Sequence, residues 1–171
     1  MKLKATLRLE NGMEFHGWSF GCAQAVSGEV VFNTSMAGYP EQLTDPTYNG
    51  QILCLTYPLI GNYGVPSEEL MAEKLSAKLE SEKIQPKGLV IFDYCEDYSN
   101  WEAEKSLVQW MTEQGLTGIY GIDTRELTKI LRDKGSMTGC IVPEGAEKPA
   151  DAVKPSPAEV SCKEVIVYKA E

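Results

Sequence analysis

The dipeptide Asn11-Gly12 stands between two alternating runs, Ala5–Glu10 and Met13–Phe20. Glycine after asparagine tolerates the positive φ that a tight turn demands, so the two runs are expected to fold back on each other as antiparallel strands through a two-residue turn. A chain that opens on a hairpin must find further strands or a helix to cover its apolar face. Two such strands follow at once. Val26–Thr34 carries Val30, Val31 and Phe32, and Gln51–Tyr57 is apolar and β-rich up to Pro58, which ends its pairing.

The second half changes period and alternates helix with strand. Ser67–Glu80 reads as a helix capped by Ser67, with Glu68, Glu69, Glu73 and Glu80 on its wet face and Glu82 beyond its end. Gly88–Tyr94 reads as a strand whose unbroken Leu89-Val90-Ile91-Phe92 core is buried on both faces. Ser99-Asn100-Trp101-Glu102 has the form of a capping box that opens a helix bearing Leu107, Val108 and Met111 and ending at Gly115. Gly118–Ile122 is a short strand. Asp123 caps a helix with Leu127, Ile130 and Leu131 on one face, ended by Gly135, and Met137–Val142 closes the pattern as a strand. Strands first and β/α units second predict an α/β fold: a layered β/β/α sandwich of mixed sheets, with helices on one outer face. Residues 1–143 form one domain in this reading. Residues 144–171 are a linker, rich in Ala, Lys, Pro and Ser, with a last apolar run at Val165-Ile166-Val167-Tyr168.

Charge and cysteine usage exclude several function classes. The 16 Lys and Arg stand against 25 Asp and Glu, a net charge of −9, where a nucleic-acid binder needs clustered cations. No run approaches the roughly 18 apolar residues of a membrane span, and the start has no long apolar core of the secretory type. The five cysteines, Cys22, Cys54, Cys95, Cys140 and Cys162, are scattered without a Cys-x-x-Cys pair. That spacing argues against a disulfide framework or structural zinc and for reduced thiols in a cytoplasmic protein. The expectation is neither nucleic acid nor membrane as a partner.

Catalytic motifs are missing in the same way. The one histidine, His16, falls in the opening hairpin, where a structural or surface role is expected. No Gly-x-Ser-x-Gly, phosphate loop or dinucleotide fingerprint occurs. Asp93, Glu96 and Asp97 follow a buried strand and offer carboxylates to a divalent metal, but with no histidine nearby and loose spacing a solvated loop is the better explanation. Two segments rise above this background. One is the long connection Asn33–Tyr48, rich in Gly, Pro and hydroxyls, of the irregular kind that often carries function. The other is Gly121–Thr128, where Asp123, Arg125 and Glu126 meet at a strand-to-helix junction and helix capping alone accounts for the acids.

These two segments also carry a family likeness. Gly28-Glu29-Val30-Val31-Phe32-Asn33-Thr34-Ser35-Met36-Ala37-Gly38-Tyr39, Leu43-Thr44-Asp45-Pro46-Thr47-Tyr48, Leu55-Thr56-Tyr57-Pro58-Leu59-Ile60-Gly61-Asn62-Tyr63-Gly64 and Gly121-Ile122-Asp123-Thr124-Arg125-Glu126-Leu127-Thr128 resemble the amino-terminal half of the carbamoyl-phosphate synthetase small subunit. So do Leu131-Arg132-Asp133-Lys134-Gly135 and Gly139-Cys140-Ile141, all in the family's order, and Val160–Glu164 resembles its run-up to a second domain. The resemblance implies a swivelling-type β/β/α domain, without catalytic or metal-binding residues of its own. It would dock the large subunit and support a glutaminase domain that this chain lacks. The assembly would make carbamoyl phosphate from glutamine, bicarbonate and ATP for pyrimidine and arginine synthesis, with ATP and Mg or Mn held on the large subunit and no cofactor in this chain. One position would reach glutamine, the residue after Asp-Pro in the long loop. The family has serine there and this chain has Thr47, which keeps the hydroxyl and adds a methyl that restricts χ1. A free-standing binding or regulatory module that lost the glutaminase domain is the alternative, as is an autonomous metal enzyme built on Asp93, Glu96 and Asp97.

Overall fold

In the computed structural model, residues 2–67, 78–150, 157–165 and 167 are described. The opening hairpin pairs β1 (Lys4–Leu9) with β2 (Glu14–Gly21) in antiparallel register, Ala5 opposite Gly17 and Leu7 opposite Phe15. The turn is one residue longer than the dipeptide suggests. Leu9 N–H donates to the Met13 carbonyl, so Glu10, Asn11 and Gly12 form a three-residue loop with Gly12 at φ 85°. The Asn11 side chain accepts from Met13 N–H at 3.0 Å, which offers the backbone the longer turn.

The remaining large strands are β3 (Val26–Asn33), β4 (Ile52–Leu55), β7 (Gly88–Val90), β10 (Thr117–Tyr120) and β11 (Met137–Pro143). Together with the hairpin they close into a seven-stranded barrel in the order β1-β11-β3-β4-β7-β10-β2. β3, β4, β7 and β10 run parallel, and the other pairings are antiparallel. Two small sheets stand outside the ring: β5 (Leu59–Ile60) with β8 (Asp93–Tyr94), and β6 (Val65–Pro66) with β9 (Ala103–Lys105).

The strands separate two cores. On β1 the buried residues are Ala5, Leu7 and Leu9, while Lys4 and Arg8 face water. The first core gathers those residues with Val30, Ile52, Cys54, Val90, Ile119 and Ile141, and with Leu127 and Leu131 of α3 (Thr124–Lys134). Leu53, Leu55, Leu89 and Ile91 point the other way. They form the second core with Leu43 of α1 (Tyr39–Thr44) and with Leu107, Trp110 and Met111 of α2 (Leu107–Gln114). β4 and β7 are thus buried on both faces, as a continuous apolar run implies. The two longer helices serve different cores. A short helix, α4 (Pro157–Val160), lies beyond the barrel.

Local signals placed most helix ends. Asp123 Oδ1 accepts from Glu126 N–H and starts α3, and Gly115 in the left-handed region ends α2. The capping-box expectation at Ser99–Glu102 is corrected. Asn100 Oδ1 accepts from Glu102 N–H in a local turn, residues 103–105 pair as β9, and the true cap is Ser106, whose hydroxyl accepts from Gln109 N–H. The helix expected over Ser67–Glu80 falls largely outside the described residues. So do part of the linker and part of the run Val165–Tyr168. Residues 144–150 stay on the barrel, with Glu144 N–H donating to the Lys4 carbonyl and Ser27 Oγ to the Ala150 carbonyl at 2.7 Å.

Barrel closure brings β2 and β10 into very close approach. A Cβ on Gly17 would lie 2.2 Å from the Tyr120 carbonyl oxygen, a backbone atom that cannot step aside. Gly17→Ala is therefore expected to lose about 1–3 kcal/mol, the usual cost of overpacking, read as a lower urea midpoint. An unchanged midpoint would contradict this packing.

Candidate functional site

The connection from β3 to β4 is an ordered structure with its own anchors. Gly38 adopts φ 82° and precedes α1, with Pro40 in the first turn. The Tyr63 hydroxyl accepts from Gly38 N–H at 2.8 Å and Tyr39 N–H at 3.0 Å, two donors that helix geometry leaves unpaired. The Tyr39 and Tyr63 rings stack with centroids 4.3 Å apart, and the buried Tyr39 hydroxyl donates to the Gly64 carbonyl. Burial holds the Tyr39 phenol protonated far above the ordinary tyrosine range, and burial also raises Tyr63.

After α1 the chain makes the 3-10 turn Pro46–Tyr48. Asp45 caps it, its Oδ1 accepting from Thr47 N–H at 2.8 Å, and Pro46 supplies a pre-set φ at the first position. Thr47 sits exposed at the apex, and its hydroxyl makes no hydrogen bond to another described residue. The Tyr48 hydroxyl accepts from Asn33 Nδ2 at 3.0 Å, tying the turn to the end of β3. The turn therefore offers a hydroxyl to solvent from a fixed backbone.

The other singled-out residues lie elsewhere. Asp123 is spent on capping α3, and Arg125 is exposed beside a cavity of about 350 Å³ lined by Thr56, Pro58, Phe92 and Thr124. That cavity takes no residue from 33–50. His16 is exposed on β2, with Nδ1 3.2 Å from Thr6 Oγ1 and Nε2 3.9 Å from Glu14. Cys54 lies in the first core, where burial pushes its thiol up to about 12. Such a thiol is no nucleophile at neutral pH. Asp93 Oδ1 accepts from the neighbouring Tyr94 N–H. Among the described residues, no three His, Cys, Asp or Glu side chains assemble into a group that could hold a metal. No helix among them is long and apolar enough to cross a membrane.

Comparison with known proteins gives the family. Residues 7–141 match the model for the carbamoyl-phosphate synthase small chain, CPSase domain. The chain belongs to that family. It is 51% identical over 169 residues to the human mitochondrial carbamoyl-phosphate synthase [ammonia], covering 96% of this chain and 11% of that protein. It is 46% identical over 169 residues to the arginine-specific carbamoyl phosphate synthase small chain of Candida albicans, covering 98% of this chain and 39% of that one. It is also 51% identical over 137 residues to the multifunctional protein URA2 of Saccharomyces cerevisiae, covering 78% of this chain and 6% of that one. The chain thus spans well under half the length of these relatives.

The tyrosine pair gives the anchor a pH signature. Both phenols have folded pKa values above the unfolded 10.0, so they favour the folded state in full below pH 10.0 and progressively less as pH rises through the folded values. A spectroscopic titration should show Tyr39 ionising only together with alkaline unfolding, and Tyr63 ionising later than an exposed tyrosine. Ionisation of all eight tyrosines near 10.0 in the folded protein would contradict the buried anchor.

Proposed function

We propose that this chain is the non-catalytic domain of a glutamine-dependent carbamoyl-phosphate synthase small subunit, presenting Thr47 as one wall of the glutamine site. The observation that carries the reading is the exposed Thr47 hydroxyl on the Asp45-capped turn, at the position where the family resemblance puts a glutamine contact. The hydroxyl would hydrogen-bond glutamine bound mainly by a glutaminase domain that contributes the nucleophile and base. The large subunit would take the ammonia and use ATP with Mg or Mn, and the closed seven-stranded sheet is read as the family's swivelling β/β/α type.

Family membership by itself does not carry glutamine, because the human relative's name specifies ammonia. The reading rests on the turn. Docking to a large subunit draws support from apolar side chains left in water: Trp101 is 91% exposed, Met36 77% and Phe92 52%.

Substitution at the apex tests the reading in the full-length synthetase that carries this domain. Thr47→Val keeps the shape and removes the hydroxyl, and should raise KM for glutamine roughly three- to tenfold, the worth of one neutral hydrogen bond. Thr47→Ser should stay close to the parent. Equal KM values for the valine, serine and parent enzymes would overturn the glutamine contact.

A further inference from the structure

The turn that carries Thr47 is closed locally by short bonds alone. Tyr48 N–H donates to the Asp45 carbonyl and Asn49 N–H to the Pro46 carbonyl, both at 3.1 Å. Beyond its own closure, the turn is tied to β3 through the Tyr48 hydroxyl and Asn33. Its two flanks are held by a segment distant in sequence, residues 80–85, which runs alongside before β7.

Gln85 is the centre of that contact. It is 9% exposed, yet every polar group it has is used on or towards the turn. Its backbone N–H donates to the Leu43 carbonyl at 2.9 Å, and its carbonyl accepts from Gly50 N–H at 3.2 Å. Its Oε1 accepts from Asn49 Nδ2 at 2.9 Å, and its Nε2 donates to Ser81 Oγ at 2.8 Å. Ser81 in turn donates to the Thr44 carbonyl, while Glu80 N–H donates to Thr44 Oγ1 at 3.1 Å.

The amide orientation follows from this chain of bonds. The Ser81 hydroxyl has one proton and gives it to a carbonyl, so it can only accept from Gln85. That fixes Nε2 towards Ser81 and leaves Oε1 to face the Asn49 amide donor. Residues 43–44 enter the turn and residues 49–50 leave it, so one side chain with its backbone grips both flanks. On the far side, Ile84 N–H donates to Gln114 Oε1 at 2.6 Å, which ties the brace to α2 and so to the second core.

We propose that Gln85 is a positioning residue for the glutamine contact: it locks both flanks of the Asp45–Asn49 turn to the 80–85 segment, which Ile84 ties to α2, and so places the Thr47 hydroxyl. This rests on the reading of Thr47 given above. A buried side chain kept only for packing would serve as well if apolar. A positioning residue must keep both ends of its amide engaged, because losing either frees one flank.

Two measurements on the full-length protein test this. Gln85→Met keeps volume and breaks both side-chain bonds, and Asn49→Ala removes only the turn-side bond and is the milder variant if the first folds poorly. Amide hydrogen exchange at Thr47, Tyr48 and Asn49 should quicken roughly tenfold in either variant while β1 and β11 keep their protection. KM for glutamine should rise roughly three- to tenfold with kcat within about twofold. The same change introduced into Thr47→Val should add little, since the hydroxyl it places is gone. Unaltered exchange across the turn would overturn the brace. A KM rise undiminished in the Thr47→Val background would overturn its action through Thr47. If Thr47→Val alone leaves KM unchanged while Gln85→Met still quickens exchange, the glutamine reading fails and the link between brace and substrate fails with it, whereas the hold of Gln85 on the turn stands.

Discussion

The pairing of β1 with β11 closes the barrel, and the rest of the structure depends on it. Ala5 to Leu9 run opposite Pro143 to Gly139, so strands near the two ends of the domain become neighbours. Without that ladder the sheet would have two open edges, each a row of unpaired backbone groups. With it, Leu7 and Leu9 on one strand and Ile141 on the other enter the first core, where Leu127 and Leu131 of α3 also lie. β4 and β7, in the middle of the parallel arc, can then be buried on both faces, because the first core fills one side and α1 and α2 cover the other.

The candidate site is built on that rigid arc. The long connection leaves the end of β3, is pinned by Tyr63 and the stacked Tyr39, and returns through α1 to the start of β4. The Gln42 amide donates to the Ala37 carbonyl, and its Oε1 is the one fully buried side-chain nitrogen or oxygen without a partner among the described residues. The apex at Thr47 is the part left to solvent. An exposed hydroxyl held by a buried scaffold suits a domain that supplies a contact to chemistry performed elsewhere, because a donor fixed in advance loses little entropy on binding.

Much of the local structure could be read from the sequence, and most of the long-range structure could not. Asn11-Gly12 announced the hairpin, Asp123 and Gly135 bounded α3, and the apolar run at Leu89–Phe92 announced a strand buried on both faces, which holds as far as Ile91, whereas Phe92 is 52% exposed and residues 93–94 pair in a separate sheet. These signals act within a few residues. The false capping box at Ser99 failed because residues 103–105 pair with Val65 and Pro66, almost forty positions earlier, and that pairing has no local mark. Barrel closure is invisible for the same reason. Thr47 was found through resemblance alone, since a threonine after Asp-Pro is an ordinary turn residue. Gln85 was missed altogether: a lone glutamine before a proline carries no motif, and its role exists only when residues 43–50 and 80–85 meet.

The proposed division of labour puts the scaffold and one substrate contact in this chain and the nucleophile in another domain. The buried, raised thiol of Cys54 and the exposed His16 on β2 supply no working Cys–His pair. Ammonia release from glutamine by the purified 171-residue chain measures this most directly. The expected result is no release above the rate in buffer alone. Sustained turnover that scales with the concentration of the chain would contradict the account.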